Sequence, residues 1–225
     1  MTASKRPGKI AVSMMCADFL NIGRELDVFA EEGIEYLHID IMDSHFVPNL
    51  TLGPDFCKSL AAYSSIPLDI HFMTEKVDNL LPKFAEFTNA VFTIHPEAGY
   101  HPLRSIQLIK SYGISAGIAL NPTTTLESIR YMVPDLDMIC LMTVNPGYAG
   151  QKLIPQTIEK ITEFSRYIRR EKPDILLEVD GNVSWENIPA MKEAGADVYV
   201  AGSSSIFGED MDRKKAITRF RRLIE

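Results

Sequence analysis

The feature that most constrains the fold is a repeating pattern along the whole chain. Short apolar and β-branched runs recur at intervals of roughly 25 to 30 residues. Each run is followed by a polar or glycine-containing break and then by apolar residues at helical spacing. These runs predict eight strands, at 10–14, 36–41, 68–73, 91–95, 115–120, 138–144, 176–180 and 198–201. Helices are predicted at 21–32, 77–87, 102–111, 155–170 and 212–223.

Eight strand and helix units with no linker or shift in composition favour a single domain over residues 1–225, of the α/β class. The predicted fold is a closed (β/α)₈ TIM barrel, with residues 1–8 as a flexible N-terminal extension. A doubly wound open sheet is the alternative. Against it, no G-x-G-x-x-G follows the first strand, and unusual polar residues occur at the ends of many strands rather than at one crossover.

The composition of the chain limits the classes of ligand that it can bind. The chain has 225 residues, is 46% hydrophobic and carries a formal net charge of −7, so it has no basic surface for nucleic acid. No apolar run is long enough for a membrane span and no signal peptide is recognisable, so a cytoplasmic protein with a small-molecule ligand is expected. Cys16, Cys57 and Cys140 are widely separated and are expected to be free thiols.

Polar residues interrupt three of the predicted strands near their ends. His38 and Asp40 share one face of the second strand, His71 lies near the end of the third, and Asp180 ends the seventh, with Glu178 on the same face. Each residue alone is explained by a hydrogen bond to a neighbouring strand. Together, two imidazoles and two carboxylates at one end of a barrel indicate a divalent metal site for Zn²⁺, Fe²⁺, Mn²⁺ or Co²⁺.

Other histidines are less informative. His95 and Glu97 follow the fourth strand, where His-Pro-Glu fits a functional site and a simple chain turn equally well. His45 and His101 are interpreted as loop residues.

The later strands end in glycine-rich loops. Exposed amides in such loops hold phosphate in many barrels, although tight turns alone also use glycine. The loop 145–151 is flexible enough to form a lid. The predicted substrate and phosphate contacts are Gly147, Tyr148, Ala149, Gly150, Gly181, Asn182, Gly202, Ser203 and Ser204. Four methionines at strand ends, Met14, Met42, Met73 and Met142, are interpreted either as core or as an apolar collar around the metal.

Specific segments of the chain resemble the ribulose-phosphate 3-epimerase family. They are His38-Ile-Asp-Ile-Met-Asp, Asp69-Ile-His-Phe-Met, Met142-Thr-Val-Asn-Pro-Gly and Glu178-Val-Asp-Gly, in the family's order. The resemblance implies a ribulose-phosphate-binding TIM barrel that inverts C3 of a ketose phosphate through an enediolate. It implies one divalent metal, no organic cofactor, and assembly as a homo-oligomer, either a dimer or a hexamer.

The resemblance also assigns residue roles. It makes His38, Asp40, His71 and Asp180 metal ligands, Asp40 and Asp180 the acid and base, and Ser13 and His71 substrate contacts. Which aspartate is acid and which is base is left open.

Departures from the family pattern bear on the substrate. Ser44, Ala149 and Asn182 stand where the family usually has glycine. Four features resemble the allulose-6-phosphate 3-epimerase branch: Met14-Met-Cys-Ala-Asp18, His95-Pro-Glu97, Gly147-Tyr-Ala-Gly150 and the polar residue after Asp180-Gly181. The predicted reaction is therefore D-allulose 6-phosphate to D-fructose 6-phosphate, with D-ribulose 5-phosphate to D-xylulose 5-phosphate as the alternative. A metal-dependent phosphosugar lyase or aldolase, or a non-catalytic phosphosugar-binding protein, remains a rival hypothesis.

Overall fold

The fold is a closed barrel of eight parallel strands in the order β1 to β8, which confirms the predicted (β/α)₈ architecture. It is seen in a computed structural model that describes residues 6–208 and 211–225. The strands are β1 Lys9–Ser13, β2 Tyr36–Met42, β3 Leu68–Met73, β4 Ala90–Ile94, β5 Ser115–Leu120, β6 Met138–Met142, β7 Leu176–Asp180 and β8 Val198–Ala201. The helices are α1 Ile22–Glu31, α2 Pro54–Tyr63, α3 Leu81–Phe84, α4 Pro102–Ser111, α5 Gln156–Glu171, α6 Ile188–Ala194 and α7 Arg213–Ile224.

Two connections depart from the regular strand and helix alternation. The helix predicted at 77–87 is a 3₁₀ turn, Val77–Asn79, followed by the short α3. Between β5 and β6 the chain forms two 3₁₀ turns, Leu126–Ser128 and Val133–Asp135, in place of a helix. Prolines 82, 122 and 134 remove backbone donors in these segments, and three consecutive threonines at 123–125 are weak helix formers.

The outer core lies between the strands and the helices. In α5, for example, Ile161, Phe164 and Ile168 recur at helical spacing and are fully buried. They face the outward side chains of the barrel, such as Ile139 and Leu177, which belong to the same apolar cluster. Burial of this apolar surface is the main stabilising term for the barrel.

The inward side chains form layers of different character. Some of them form an apolar cluster, which consists of Ala11, Val91, Met138, Val198 and Val200. Others are polar and fully buried, and they come from β2, β3, β4 and β7: His38, Asp69, Thr93 and Glu178. The alternation of each strand therefore delivers polar groups to the carboxyl-terminal mouth, where barrel enzymes place their chemistry.

The predicted N-terminal extension is only partly described. Residues 1–5 lie outside the described residues. Residues 6–8 pack against the barrel, since Gly8 is buried and the Arg6 guanidinium lies against the carbonyls of Pro173 and Ile175. Within the described chain, no helix has the length and apolar character of a membrane span.

Candidate active site and metal centre

Four side chains predicted as metal ligands converge at the mouth of the barrel. His38 and Asp40 come from β2, His71 from β3 and Asp180 from the end of β7, and one ligating atom of each lies within 4.8 Å of the others. His38 Nε2 is 3.3 Å from Asp40 Oδ1, and His71 Nδ1 is 3.2 Å from the same oxygen. Asp180 Oδ2 is 3.9 Å from His38 Nε2 and 3.7 Å from His71 Nδ1.

The chemistry of this donor set fits a divalent cation. His38 Nε2 and His71 Nδ1 are fully buried, and neither has a hydrogen-bond partner among the described residues. Orphaned buried nitrogens are costly, and a cation at their meeting point removes that cost. Two imidazoles with two carboxylates suit Zn²⁺, Fe²⁺, Mn²⁺ or Co²⁺.

A buried carboxylate orients His38 from behind. His38 Nδ1 contacts Asp69 Oδ2, so a proton on Nδ1 donates to Asp69 and the lone pair of Nε2 points to the centre. Glu178 lies next to this pair, and both of its oxygens lack a partner in the described part of the chain. Burial, reinforced by the charge of Asp69, raises the pKa of Glu178 well above its ordinary value and so favours the protonated carboxyl group.

The environments of the two aspartates of the centre shift their pKa values in opposite directions. Burial disfavours charge on Asp40, but the adjoining His38 and His71 outweigh it and hold the pKa of Asp40 below its usual range. Burial, together with the negative charge of Asp40, raises the pKa of Asp180 against the opposing effect of His38. Environments that push two neighbouring carboxyl groups apart in this way are typical of an acid and base pair.

His95 and Glu97, which the sequence left undecided, extend the centre outward from His71. His95 Nε2 is 2.9 Å from His71 Nε2, and His95 Nδ1 faces Glu97 Oε2 at 3.4 Å. Burial lowers the pKa of His95 to about 4 despite the neighbouring carboxylate, so the ring is neutral at pH 7. Burial of Glu97 is outweighed by its contact with His95 and by hydrogen bonds from Thr124 and Asn121, which lower its pKa to about 2.

A cavity opens above the centre, and its floor includes Asp40 and Asp180. His38 and His71 are fully buried and do not line it. The predicted loop contacts all do, together with Ser13 at the end of β1: Gly147, Tyr148, Ala149, Gly150, Gly181, Asn182, Gly202, Ser203 and Ser204. The structure thus brings the predicted substrate contacts, His71 excepted, to one cavity beside the predicted metal ligands.

The apolar collar differs from the prediction at one position. Met42, Met73 and Met142 line the cavity, but Met14 is fully buried in the outer core. β1 ends at Ser13, and Met14 begins the 3₁₀ turn Met14–Cys16 that follows it. Met15, in the 3₁₀ turn after β1, lines the cavity and packs against Met42 and Met73 instead.

Close approaches fix the loops around the cavity. Gly147 has φ 118°, and a Cβ there would lie 2.8 Å from Val47 Cβ. The Asn49 side chain donates to the Gly147 carbonyl at 3.2 Å, so the loops after β2 and β6 are tied across the mouth. Gly181 has φ 108°, and a Cβ there would lie 2.5 Å from Val144 Cγ2. Neither position tolerates a larger residue without displacement of the loop.

Asn182 connects the loops predicted to hold phosphate. Its Oδ1 accepts from the Leu153 amide at 3.2 Å and from Asn187 Nδ2 at 2.8 Å, and its Nδ2 donates to Ser204 Oγ at 3.2 Å. Among the described residues, no Lys or Arg lines the cavity. An anion there meets only neutral donors, which are the amides and hydroxyls of these loops.

Sequence reasoning missed several supporting residues. Asp69 lies two positions before His71 on the same face of β3, so strand alternation alone could have identified it as an inward carboxylate. Thr143 donates through Oγ1 to the carbonyls of Asp180 and Gly181, and Thr51 donates to the Asp40 carbonyl at 2.6 Å. These threonines hold the ends of β7 and β2 in place, and no local pattern indicates that role.

The chain is similar to curated epimerases over nearly its whole length. The sequence model of the ribulose-phosphate 3 epimerase family matches residues 9–207. The ribulose-phosphate 3-epimerase of Bacillus subtilis is 44% identical over 214 residues, which is 95% of this chain and 98% of that protein. The enzyme of the same name from Escherichia coli K12 is 45% identical over 213 residues, covering 94% of each chain.

Solved structures show the same architecture at low sequence identity. A tryptophan synthase alpha-subunit from Pyrococcus furiosus aligns with a TM-score of 0.67 at 17% identity, covering 98% of this chain and 97% of that one. A phosphoribosyl anthranilate isomerase from Thermococcus kodakaraensis aligns with a TM-score of 0.65 at 14% identity, covering 97% and 99%. At such identities the likeness establishes the barrel fold alone.

Proposed function

The chain belongs to the ribulose-phosphate 3-epimerase family, and from that premise we propose that it interconverts D-ribulose 5-phosphate and D-xylulose 5-phosphate by inverting C3. As a member of this family it is an epimerase, an enzyme of the isomerase class. The observation that carries the proposal is a pair of carboxyl groups, Asp40 and Asp180, whose environments favour opposite protonation states at the floor of a cavity.

The metal centre of the proposed enzyme consists of His38, Asp40, His71 and Asp180. Their orphaned nitrogens and converging oxygens support this assignment. A divalent cation held there supplies positive charge that offsets the negative charge developing on the substrate oxygens when the C3 proton leaves. No organic cofactor is required for this chemistry.

Asp40 and Asp180 are proposed as the base and the acid. Asp40, held ionised, removes the proton from C3, and the electron pair of the broken C–H bond forms the enediolate with the neighbouring carbonyl. Asp180, held protonated, donates its proton to C3 on the opposite face. β1 and β8 separate the strands that carry them, so the two carboxyl groups approach the cavity from different sides. Exchange of protons with water then restores both groups, and in the reverse direction their roles are exchanged.

The remaining cavity residues are proposed to bind the substrate. Ser13 lies at the end of β1 beside Asp40, where its hydroxyl is available to a sugar oxygen. The loops joined by Asn182 are assigned to the phosphate, which they would hold with neutral donors. Met42, Met73 and Met142 exclude water from the reacting carbons, which strengthens the electrostatic interactions there.

The choice of the pentulose phosphate departs from the sequence prediction. The allulose 6-phosphate preference rested on the segments 14–18 and 147–150, on His95-Pro-Glu97 and on Asn182. The curated relatives at 44–45% identity are named ribulose-phosphate 3-epimerase. Their names favour the pentulose phosphate, so we propose it as the principal substrate. Cytoplasmic location and assembly into a homo-oligomer stay predictions.

The test is isomerisation in D₂O followed by NMR, with metal-loaded protein and each sugar phosphate in turn. The expected result is C3 inversion and deuterium uptake, faster with ribulose 5-phosphate than with allulose 6-phosphate. Asp40→Asn and Asp180→Asn should abolish inversion while leaving the unfolding temperature close to that of the wild type. Faster turnover of allulose 6-phosphate would overturn the substrate assignment, cleavage products would support the lyase, and no exchange with either sugar would refute the epimerase.

A further inference from the structure

The ring nitrogen of His71 that faces away from the metal centre begins a chain of buried polar groups. His71 Nε2 is 2.9 Å from His95 Nε2, and the two rings stack with centroids 5.0 Å apart. His95 is 2% exposed, with the Phe46 ring packed against it at 4.8 Å. Its second nitrogen, Nδ1, makes no hydrogen bond within the described residues and lies 3.4 Å from Glu97 Oε2.

Protons can occupy this chain in only one order if His71 is to bind a metal. Nδ1 of His71 must present a lone pair to the cation, so the proton of the neutral ring is on Nε2 and is donated to His95 Nε2. His95 then carries its own proton on Nδ1, the nitrogen that lies 3.4 Å from the carboxylate of Glu97. Glu97 is held in place by the Asn121 amide at 3.0 Å and by the Thr124 hydroxyl.

Without Glu97, the protons could also occupy the His71 and His95 rings in the reverse order. Asp40 Oδ1 lies 3.2 Å from His71 Nδ1 and would accept a proton placed there, which would block the metal. Two carboxylates therefore compete for the orientation of the same pair of imidazoles. Glu97 favours the order that leaves the metal-facing nitrogen free, because the reverse order turns the lone pair of His95 Nδ1 toward its negative charge.

We propose that His95 and Glu97 are positioning residues that fix the ring tautomer of His71 and thereby set the affinity of the centre for a divalent cation. The inference rests on the metal centre of the proposed function. It gives His38 and His71 equivalent supports: His38 meets its carboxylate, Asp69, directly, and His71 reaches Glu97 through an intervening imidazole. Such outer partners typically change metal affinity by about 10- to 100-fold when removed.

The experiment measures Zn²⁺ affinity by competition with a chromophoric chelator, using full-length protein freed of metal. His95→Leu removes both hydrogen-bonding atoms and should weaken Zn²⁺ binding about 10- to 100-fold. His95→Gln restores an acceptor for His71 and a donor for Glu97 and should recover most of the affinity. His101→Leu makes the same change at an exposed loop histidine and should leave affinity unchanged.

Glu97→Gln tests the outer end of the relay that runs from His71 through His95 to Glu97. The amide retains the shape and an acceptor but not the charge, so Zn²⁺ affinity should fall by less than in His95→Leu. Wild-type affinity in both His95→Leu and Glu97→Gln would overturn the relay while leaving the metal centre intact. Failure of the wild-type protein to bind one equivalent of Zn²⁺ would overturn the metal centre and the relay with it.

A measurement on the wild-type protein covers the case in which His95→Leu fails to fold. In the Zn²⁺-loaded protein, imidazole ¹⁵N spectra report which nitrogen of each ring is protonated. The relay requires His95 to be neutral with its proton on Nδ1 and His71 to carry a proton on Nε2. A proton on Nε2 of His95 would overturn the proposal, since that nitrogen could not accept from His71.

Discussion

Replacement of Glu178 by glutamine should remove a decline in stability that the wild-type protein shows as pH rises. Glu178 is fully buried, and both of its oxygens lack a hydrogen-bond partner among the described residues. Burial raises its pKa well above the ordinary 4.5, with the charge of Asp69 acting in the same direction. In the unfolded chain the carboxyl group loses its proton near the ordinary value, while the folded protein retains it. Unfolding therefore releases a proton, and stability falls as pH rises above that value.

The size of the effect follows from proton linkage. For every pH unit over which the folded protein keeps a proton that the unfolded chain has lost, the free energy of unfolding drops by about 1.4 kcal/mol. Over two such units the loss is about 2.7 kcal/mol, which corresponds to about 5–10 °C in Tm for a chain of this length. Glu178→Gln has no proton to release and should lack this decline. A buried amide that finds no partner adds an offset, but the offset does not depend on pH.

The assay compares Tm and denaturant unfolding of the wild type and Glu178→Gln between about pH 4 and pH 8, with metal removed. The stability of the variant relative to the wild type should increase steadily as pH rises from about pH 4 to about pH 8. Glu159→Gln, at an exposed position of α5, is the matched control and should run parallel to the wild type. Parallel curves for Glu178→Gln and the wild type would refute a buried protonated carboxyl group at this position.

Other expected outcomes concern loop strain and the metal. Ser44→Gly should raise the free energy of unfolding by about 1 kcal/mol, because serine has φ 62° there. Asn182→Gly, at φ 46°, should lower the free energy of unfolding by about 1–2 kcal/mol, because the side-chain hydrogen bonds are lost. Denaturant unfolding tests both variants, and equal shifts would contradict the difference. Gly181→Ala should weaken binding of a phosphosugar measured by calorimetry, and an unchanged Kd would contradict the close packing of that loop. The two carboxylates beside His38 outweigh burial and raise the pKa of His38 above 6.5, so protons compete with the metal for the ring. Metal affinity should therefore fall as pH falls. Chelator competition that shows no pH dependence would contradict this expectation.

The barrel itself could be predicted because its signal is repeated and local. Each strand is a short apolar run, and the bounds of Leu68–Met73, Ser115–Leu120, Leu176–Asp180 and Val198–Ala201 agree with the sequence. The segment between β5 and β6 could not be predicted, since a closed barrel needs only a connection of sufficient length there. Two 3₁₀ turns satisfy that requirement as well as a helix does.

The site was predictable where strand alternation applies and not elsewhere. His38, Asp40, His71 and Asp180 lie on inward faces near strand ends, so period-two spacing brings them together. Met14 was misplaced because a 3₁₀ turn follows β1 and moves Met15 to the cavity. The contacts that support the centre join distant strands and loops, and only the closed barrel defines them.

Two of the positions that depart from the family's glycine pattern, Ser44 and Asn182, have unusual backbone conformations. Ser44 and Asn182 both adopt left-handed backbone conformations, which explains why glycine suits either place. Asn182 compensates with an amide that ties the Leu153 amide and Ser204 to its own loop, so its side chain has a structural role beside the cavity. Ser44 does not line the cavity, and nothing in the structure explains its presence. Ser44 therefore carries no information about sugar length, and Asn182 lines the cavity but also joins the loops around it, so the substrate must be assigned from turnover.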